Sequence, residues 1–171
     1  GELNGYKSMR SAIWLGTDRD RTGMLPFVFE SGMGFERYAD WAMDVPMYFL
    51  KGGNDYLDVT ATSFRDLMAG KHPAVPGERA VLSDWVNHLS TIFPEVRLKR
   101  YLEMRGADAG SKEMLVALSA FWVGLLYDQT ALEAAWDVAK SWTREERELL
   151  RRETPKGALE TSIRRMSVLE I

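Results

Sequence analysis

Cysteine is absent from all 171 residues, which removes disulfides, thiolate metal centres and cysteine nucleophiles together. Histidine is almost absent: only His72 and His88 occur, so a nitrogen- or sulfur-ligated metal is disfavoured and any metal would be held by oxygen. No block of one charge sign exists either. The 25 acidic and 22 basic residues are interspersed, with a net charge of -3, and leave no basic field for nucleic acid. The longest apolar run, Met114 to Tyr127, is too short to span a bilayer and is interrupted by Ser119 and Gly124. No basic-then-apolar leader opens the chain. Walker-type and G-x-G-x-x-G phosphate loops are missing, because Gly32-Met33-Gly34 lacks the third glycine. These absences favour a cytoplasmic protein that acts on small molecules or other proteins. The first residue is glycine rather than methionine, so processing, an added residue or a longer parent protein is expected.

What is present suits one α+β domain, since 46% of the residues are hydrophobic and the length permits a real core. Ser8 to Leu15 reads as a short strand that places Ser8, Arg10, Ala12 and Trp14 together. The polar Thr17 to Gly23 reads as a surface loop or a lip over a site. A helix is predicted from after Gly34 to before Pro46, then a β-hairpin turning at Gly52-Gly53-Asn54. Ser63 and Ser83 are candidate caps for two short helices.

The segment from Glu95 to Asp108 alternates polar and apolar residues. As one strand it puts Glu95, Arg97, Lys99, Tyr101, Glu103 and Arg105 on one face and Val96, Leu98, Leu102 and Met104 on the other. Beyond it the chain turns helical. Met114 to Tyr127 should form the most buried helix, with Trp122 and Trp136 in core packing. Thr130-x-x-Glu133 and Thr143-x-x-Glu146 read as capping boxes. The division expected is a site region over 1–108, a helical region over 109–154 and an irregular tail over 155–171.

Three residues can carry chemistry. Glu103 can ligate magnesium, which takes one or two carboxylates and completes its shell with water and phosphate oxygens; equally, it can pair with Arg97 or Arg105. Arg105, before a glycine turn, can neutralise a phosphoryl group or form an ordinary salt bridge. Arg10 can bind a carboxylate or stack on Trp14.

Several long collinear segments carry a family resemblance: Ser8-Met9-Arg10-Ser11 with Trp14, Asp20 to Phe29, Asp44-Val45-Pro46-Met47-Tyr48-Phe49, Ile92 to Tyr101, Glu103-Met104-Arg105-Gly106-Ala107-Asp108, and Ala120 to Asp128. Through them the chain resembles the plant and proteobacterial type of glutamate–cysteine ligase. The resemblance implies antiparallel strands forming part of a catalytic sheet, packed with several helices, and a helical C-terminal half. It implies a ligase in which ATP, as co-substrate with Mg2+, phosphorylates the γ-carboxylate of glutamate and the amine of cysteine displaces the phosphate. Glu103 then corresponds to a metal-binding glutamate and Arg105 to the arginine that stabilises the transferring phosphoryl group. Arg10 and Tyr48 match residues lining the amino-acid pocket, with Ser8 and Trp14 in support.

The chain departs from the family pattern in three ways. Gly16-Thr17-Asp18 stands where acidic Asp-x-Asp character is usual, and Ala109 to Glu113 replaces a glycine-proline-aromatic run. The chain is also much shorter than family enzymes. It resembles an internal to C-terminal fragment, so the N-terminal part of the same enzyme, with further metal carboxylates, is an expected partner, and these residues alone should have little or no activity. Other readings are a γ-glutamyl ligase with another acceptor amine and a non-catalytic binding module derived from the ligase. A family redox switch built on cysteine has no counterpart within this chain.

Overall fold

Residues 2–171 are described by a computed structural model. In chain order the elements are α1 (Met9–Leu15), β1 (Thr22–Gly23), α2 (Phe35–Asp44), β2 (Phe49–Gly52), β3 (Asp55–Asp58), α3 (Phe64–Met68), α4 (Leu82–Ser90), β4 (Phe93–Pro94), β5 (Val96–Leu98), β6 (Leu102–Met104), α5 (Lys112–Tyr127), α6 (Gln129–Ala139), α7 (Arg144–Gly157), β7 (Ser162–Ile163) and β8 (Met166–Ser167). The class is α+β. Among the described residues the strands form four two-stranded ladders: β2-β3, β5-β6 and β7-β8 are antiparallel, whereas β1 runs parallel to β4. The chain divides into two compact units, one made of residues up to Gly16 with Gly106–Ile171, the other of Thr17–Arg105.

The Thr17–Arg105 unit owes its core to short elements with one apolar face each. In α2, Tyr38 and Ala42 are buried one helical turn apart. The helix stops at Asp44, since Val45 is extended before Pro46. Met47, Val59, Phe64 and Leu67 form one buried cluster, and Ala42, Val45 and Ile92 form another; Trp85 packs against both. The β2-β3 hairpin turns at Gly53, whose φ of 64° suits a residue without a Cβ. Ser63 caps α3 through a reciprocal box with Asp66. The cap of α4 is Val81 rather than Ser83: Asp84, in the first turn, accepts the Val81 N–H at 2.9 Å.

One long strand over Glu95 to Asp108 does not form. β5 and β6 fold back on each other through Lys99–Tyr101, where Lys99 N donates to Tyr101 O at 2.9 Å. The consequence is that Arg97 and Glu103, expected on the same face of a single strand but six residues apart along it, become direct cross-strand partners. Thr17 to Gly23 is not wholly a surface loop either, because Arg21 is only 2% exposed and Thr22-Gly23 pairs with Phe93-Pro94.

In the other unit, Ser8 to Leu15 is a helix rather than a strand: Ser8 caps α1 by accepting the Ser11 N–H at 3.1 Å. Asp128, not Thr130, caps α6, its carboxylate taking the Ala131 N–H at 2.8 Å. Thr143 does cap α7 in a box with Glu146. The tail is ordered. Pro155 lies inside the last turns of α7, buried, and its carbonyl accepts the N–H groups of Lys7 and Ser8 at 2.9 and 3.0 Å. Beyond it, β7 and β8 make a hairpin whose turn residue Arg164 bonds both Glu146 carboxylate oxygens and Ser141.

α5 has no buried residue. Leu118, Trp122, Leu125 and Leu126 form a half-buried stripe, while Met114, Val116, Phe121 and Val123 lie open. Trp136 is also exposed. The expectation of a buried helix failed because apolar residues all round a helix demand cover on every side, and α6 supplies one side. No single helix among the described residues is long and apolar enough to cross a membrane.

Candidate functional site

The β5-β6 ladder concentrates charge on one face. Glu103 Oε2 accepts from Arg97 Nε at 2.7 Å and from Arg105 Nη1 at 2.9 Å, and Lys99 Nζ lies 3.6 Å from Oε1. One carboxylate thus faces three cations. The hydrogen bond from Arg97, reinforced by Arg105 and Lys99, pulls the Glu103 carboxyl down to about 2. The Phe93 ring lies under two guanidiniums, 5.8 Å from Arg97 and 5.6 Å from Arg105.

Arg105 is not saturated by these contacts. Its Nε is buried and meets no acceptor among the described residues. Leaving a buried donor unmatched costs about 1–3 kcal/mol, and an incoming anionic oxygen would remove that cost. With an excess of positive charge around it, the cluster suits phosphate chemistry. For magnesium, Glu103 Oε1 lies outside both guanidinium bonds and can supply one ligand. Among the described residues no three His, Cys, Asp or Glu side chains gather to hold a metal, so further ligands would be water, phosphate oxygens or carboxylates beyond this chain.

The other face of the same ladder is apolar. Val96, Leu98 and Leu102 line a cavity of about 490 Å³ with Met24, Phe29 and Tyr38. Burial of Tyr38 raises its phenol pKa, and its oxygen accepts the Leu98 N–H at 3.3 Å. This anchors the ladder to α2.

Tyr48 sits in the same unit, beside two residues that sequence reasoning missed. Its hydroxyl donates to Asp18 Oδ2 at 3.2 Å, and the Arg21 guanidinium lies 3.4 Å from the centre of its ring. Arg21 also donates from Nε to Asp18 Oδ2 (2.8 Å), from Nη1 to Thr91 O and Oγ1 (both 3.3 Å), and from Nη2 to Pro46 O (2.6 Å). The Arg21 hydrogen bond is the main reason that the Asp18 carboxyl falls below its ordinary value. The backbone of Arg21 completes the connection: its carbonyl accepts the N–H of Phe93, the ring beneath Arg97 and Arg105.

Ser8, Arg10 and Trp14 gather on α1 in the other unit. The Arg10 guanidinium lies 4.7 Å from the Trp14 ring centre and its Nη1 reaches Gly106 O at 3.5 Å. Arg10 and Trp14 are therefore neighbours by helical rather than strand spacing, and the Ser8 hydroxyl serves as a cap. The one sequence signal for the missed Asp18–Arg21 pair was an acid and an arginine three residues apart before a glycine.

Residues 1–168 match the model of glutamate-cysteine ligase family 2 (GCS2). Among curated proteins, the chain is 60% identical to glutamate–cysteine ligase A, chloroplastic, of Oryza sativa subsp. indica, covering 96% of this chain and 33% of that protein. It is 58% identical to the chloroplastic glutamate–cysteine ligases of Medicago truncatula and Arabidopsis thaliana, again over 96% of this chain and over 32% and 31% of theirs. The chain thus spans about a third of the length of these relatives. Their chloroplastic designation overturns the cytoplasmic expectation. Composition could not have revealed it, because organelle addresses reside in removable segments and leave no mark on the folded domain.

Proposed function

This chain belongs to glutamate-cysteine ligase family 2, and on that premise we propose that the protein carrying it joins the γ-carboxylate of glutamate to the amine of cysteine, driven by ATP, as the first step of glutathione synthesis. The family match over nearly the whole chain carries this reading, and a plastid location comes with it. In the first step a γ-carboxylate oxygen attacks the γ-phosphorus of ATP, forming γ-glutamyl phosphate and releasing ADP. In the second the cysteine amine attacks the acyl carbon, the amide C–N bond forms, and phosphate leaves while the amine loses a proton.

Arg105 is the group we assign to the transferring phosphoryl oxygens. Its guanidinium is held by Glu103 and retains a buried, unmatched Nε–H, so it is oriented before the charge arrives. Arg97 and Lys99 add positive charge beside it. Glu103 Oε1 would hold magnesium, which when bound neutralises charge on the ATP phosphates. Arg10 is assigned to a substrate carboxylate, with Ser8 and Trp14 fixing the helix that presents it, and Tyr48 is assigned to the acceptor amino acid. Because Glu103 is a single ligand, we expect the 171 residues alone to turn over little or not at all.

Steady-state ADP release by the whole protein tests the assignment. Arg105→Met should lower kcat by about 10²–10³-fold, the effect of removing one charge-stabilising donor, with a much smaller change in KM for either amino acid. Wild-type kcat in that variant would remove Arg105 from the mechanism.

A further inference from the structure

Tyr48 is 37% exposed and lies immediately before β2, next to the buried Met47. Left to itself, a half-open tyrosine there would sample several rotamers. Two residues prevent this. Asp18 accepts its hydroxyl, and the Arg21 guanidinium covers one face of its ring. We propose that Asp18 and Arg21 are positioning residues that hold Tyr48 in the orientation needed to receive the acceptor amino acid, which meets the open face and edge of the ring.

This rests on the assignment of Tyr48 to the acceptor pocket. The cost of the arrangement argues for a purpose beyond loop stability. A guanidinium only 2% exposed is costly to strip of water, and apolar residues of similar volume often serve stability as well or better. Arg21 instead uses Nε, Nη1 and Nη2 on four acceptors, Asp18 Oδ2, Thr91 O, Thr91 Oγ1 and Pro46 O, so its guanidinium is fixed in place against the ring. Asp18 Oδ2 is shared between Arg21 Nε and the Tyr48 hydroxyl, so ring and hydroxyl are fixed through one ion pair. The Arg21 carbonyl also receives the Phe93 N–H at 2.7 Å, which ties the acceptor side to the residue beneath Arg97 and Arg105.

A double-mutant cycle in the whole protein tests this. Asp18→Asn is the chosen probe, because Arg21 keeps its bonds to Thr91 and Pro46 when Asp18 loses its charge. Asp18→Asn and Tyr48→Phe should each raise the acceptor KM by about threefold to tenfold, the span of one hydrogen bond. The change in kcat and in glutamate KM should stay below that in acceptor KM. The double variant should be no worse than the worse single one, as required if Asp18 acts through the Tyr48 hydroxyl. Effects that multiply in the double variant, or an Asp18→Asn protein that melts lower with an unchanged acceptor KM, would overturn the proposal. Failure of the underlying reading looks different: the wild-type protein would then show no ADP release dependent on both amino acids.

Discussion

Glu103 shows how a single side chain can serve in more than one way. Its carboxyl is depressed from an ordinary 4.5 to about 2 by Arg97 first, then by Arg105 and Lys99. A carboxyl lowered in the folded state contributes stability that is complete above its unfolded pKa and is lost as pH falls through the folded one. For Glu103 that window runs from about 4.5 down to about 2, so near-neutral buffers leave the cluster intact. A carboxyl 13C titration should place the Glu103 midpoint near 2; a midpoint near 4.5 would mean that the guanidinium bonds do not persist in solution. At this scale the sequence was partly legible. The pairing of Glu103 with Arg97 or Arg105 was among the readings of the polar face, and the stacking of Arg10 on Trp14 was one of two alternatives. Arg21 was illegible. A polar loop ending in glycine reads as exposed, and only the approach of Thr91 and Pro46 from elsewhere in the chain shows that its guanidinium is buried.

Elements were legible where local chemistry fixes an end. Gly34 and Pro46 bracket α2, the glycines turn β2 into β3, and Ser63 and Thr143 cap the helices expected of them. They were illegible where two periods fit the same residues. Met9 to Leu15 is too short for alternation to be told from helical spacing, and Ser8 decides the matter by capping. The β5-β6 turn has Lys99, Arg100 and Tyr101 in place of glycine, proline or asparagine, so the polar alternation ran on past a reversal it could not signal. The five-residue α3 depends most visibly on its cap: Ser63 Oγ takes the Asp66 N–H at 3.3 Å, and Phe64 and Leu67 bury one face. Ser63→Ala should cost about 1 kcal/mol and Ser63→Gly only a few tenths, read as shifts in the urea midpoint at constant m. Equal losses from the two variants would show that the cap does not hold this helix.

For the whole molecule, hydrophobic content foretold a core but not its place. The buried clusters lie in the Thr17–Arg105 unit, while α5, the most apolar helix, has no buried residue. Composition reports that a surface needs cover; it does not say what provides it. Long collinear segments spoke more clearly than any pattern, because a match over residues 1–168 constrains many independent positions at once. The chain nevertheless spans only about a third of the length of the relatives it matches, so the reaction is a property to be measured on the whole protein. The central claim is that an acyl phosphate links glutamate to cysteine. Supplying the whole protein with ATP, cysteine and glutamate labelled with 18O in its γ-carboxylate tests it most directly. The account predicts that one labelled oxygen passes to the inorganic phosphate released with each turnover; unlabelled phosphate alongside the γ-glutamyl product would contradict it.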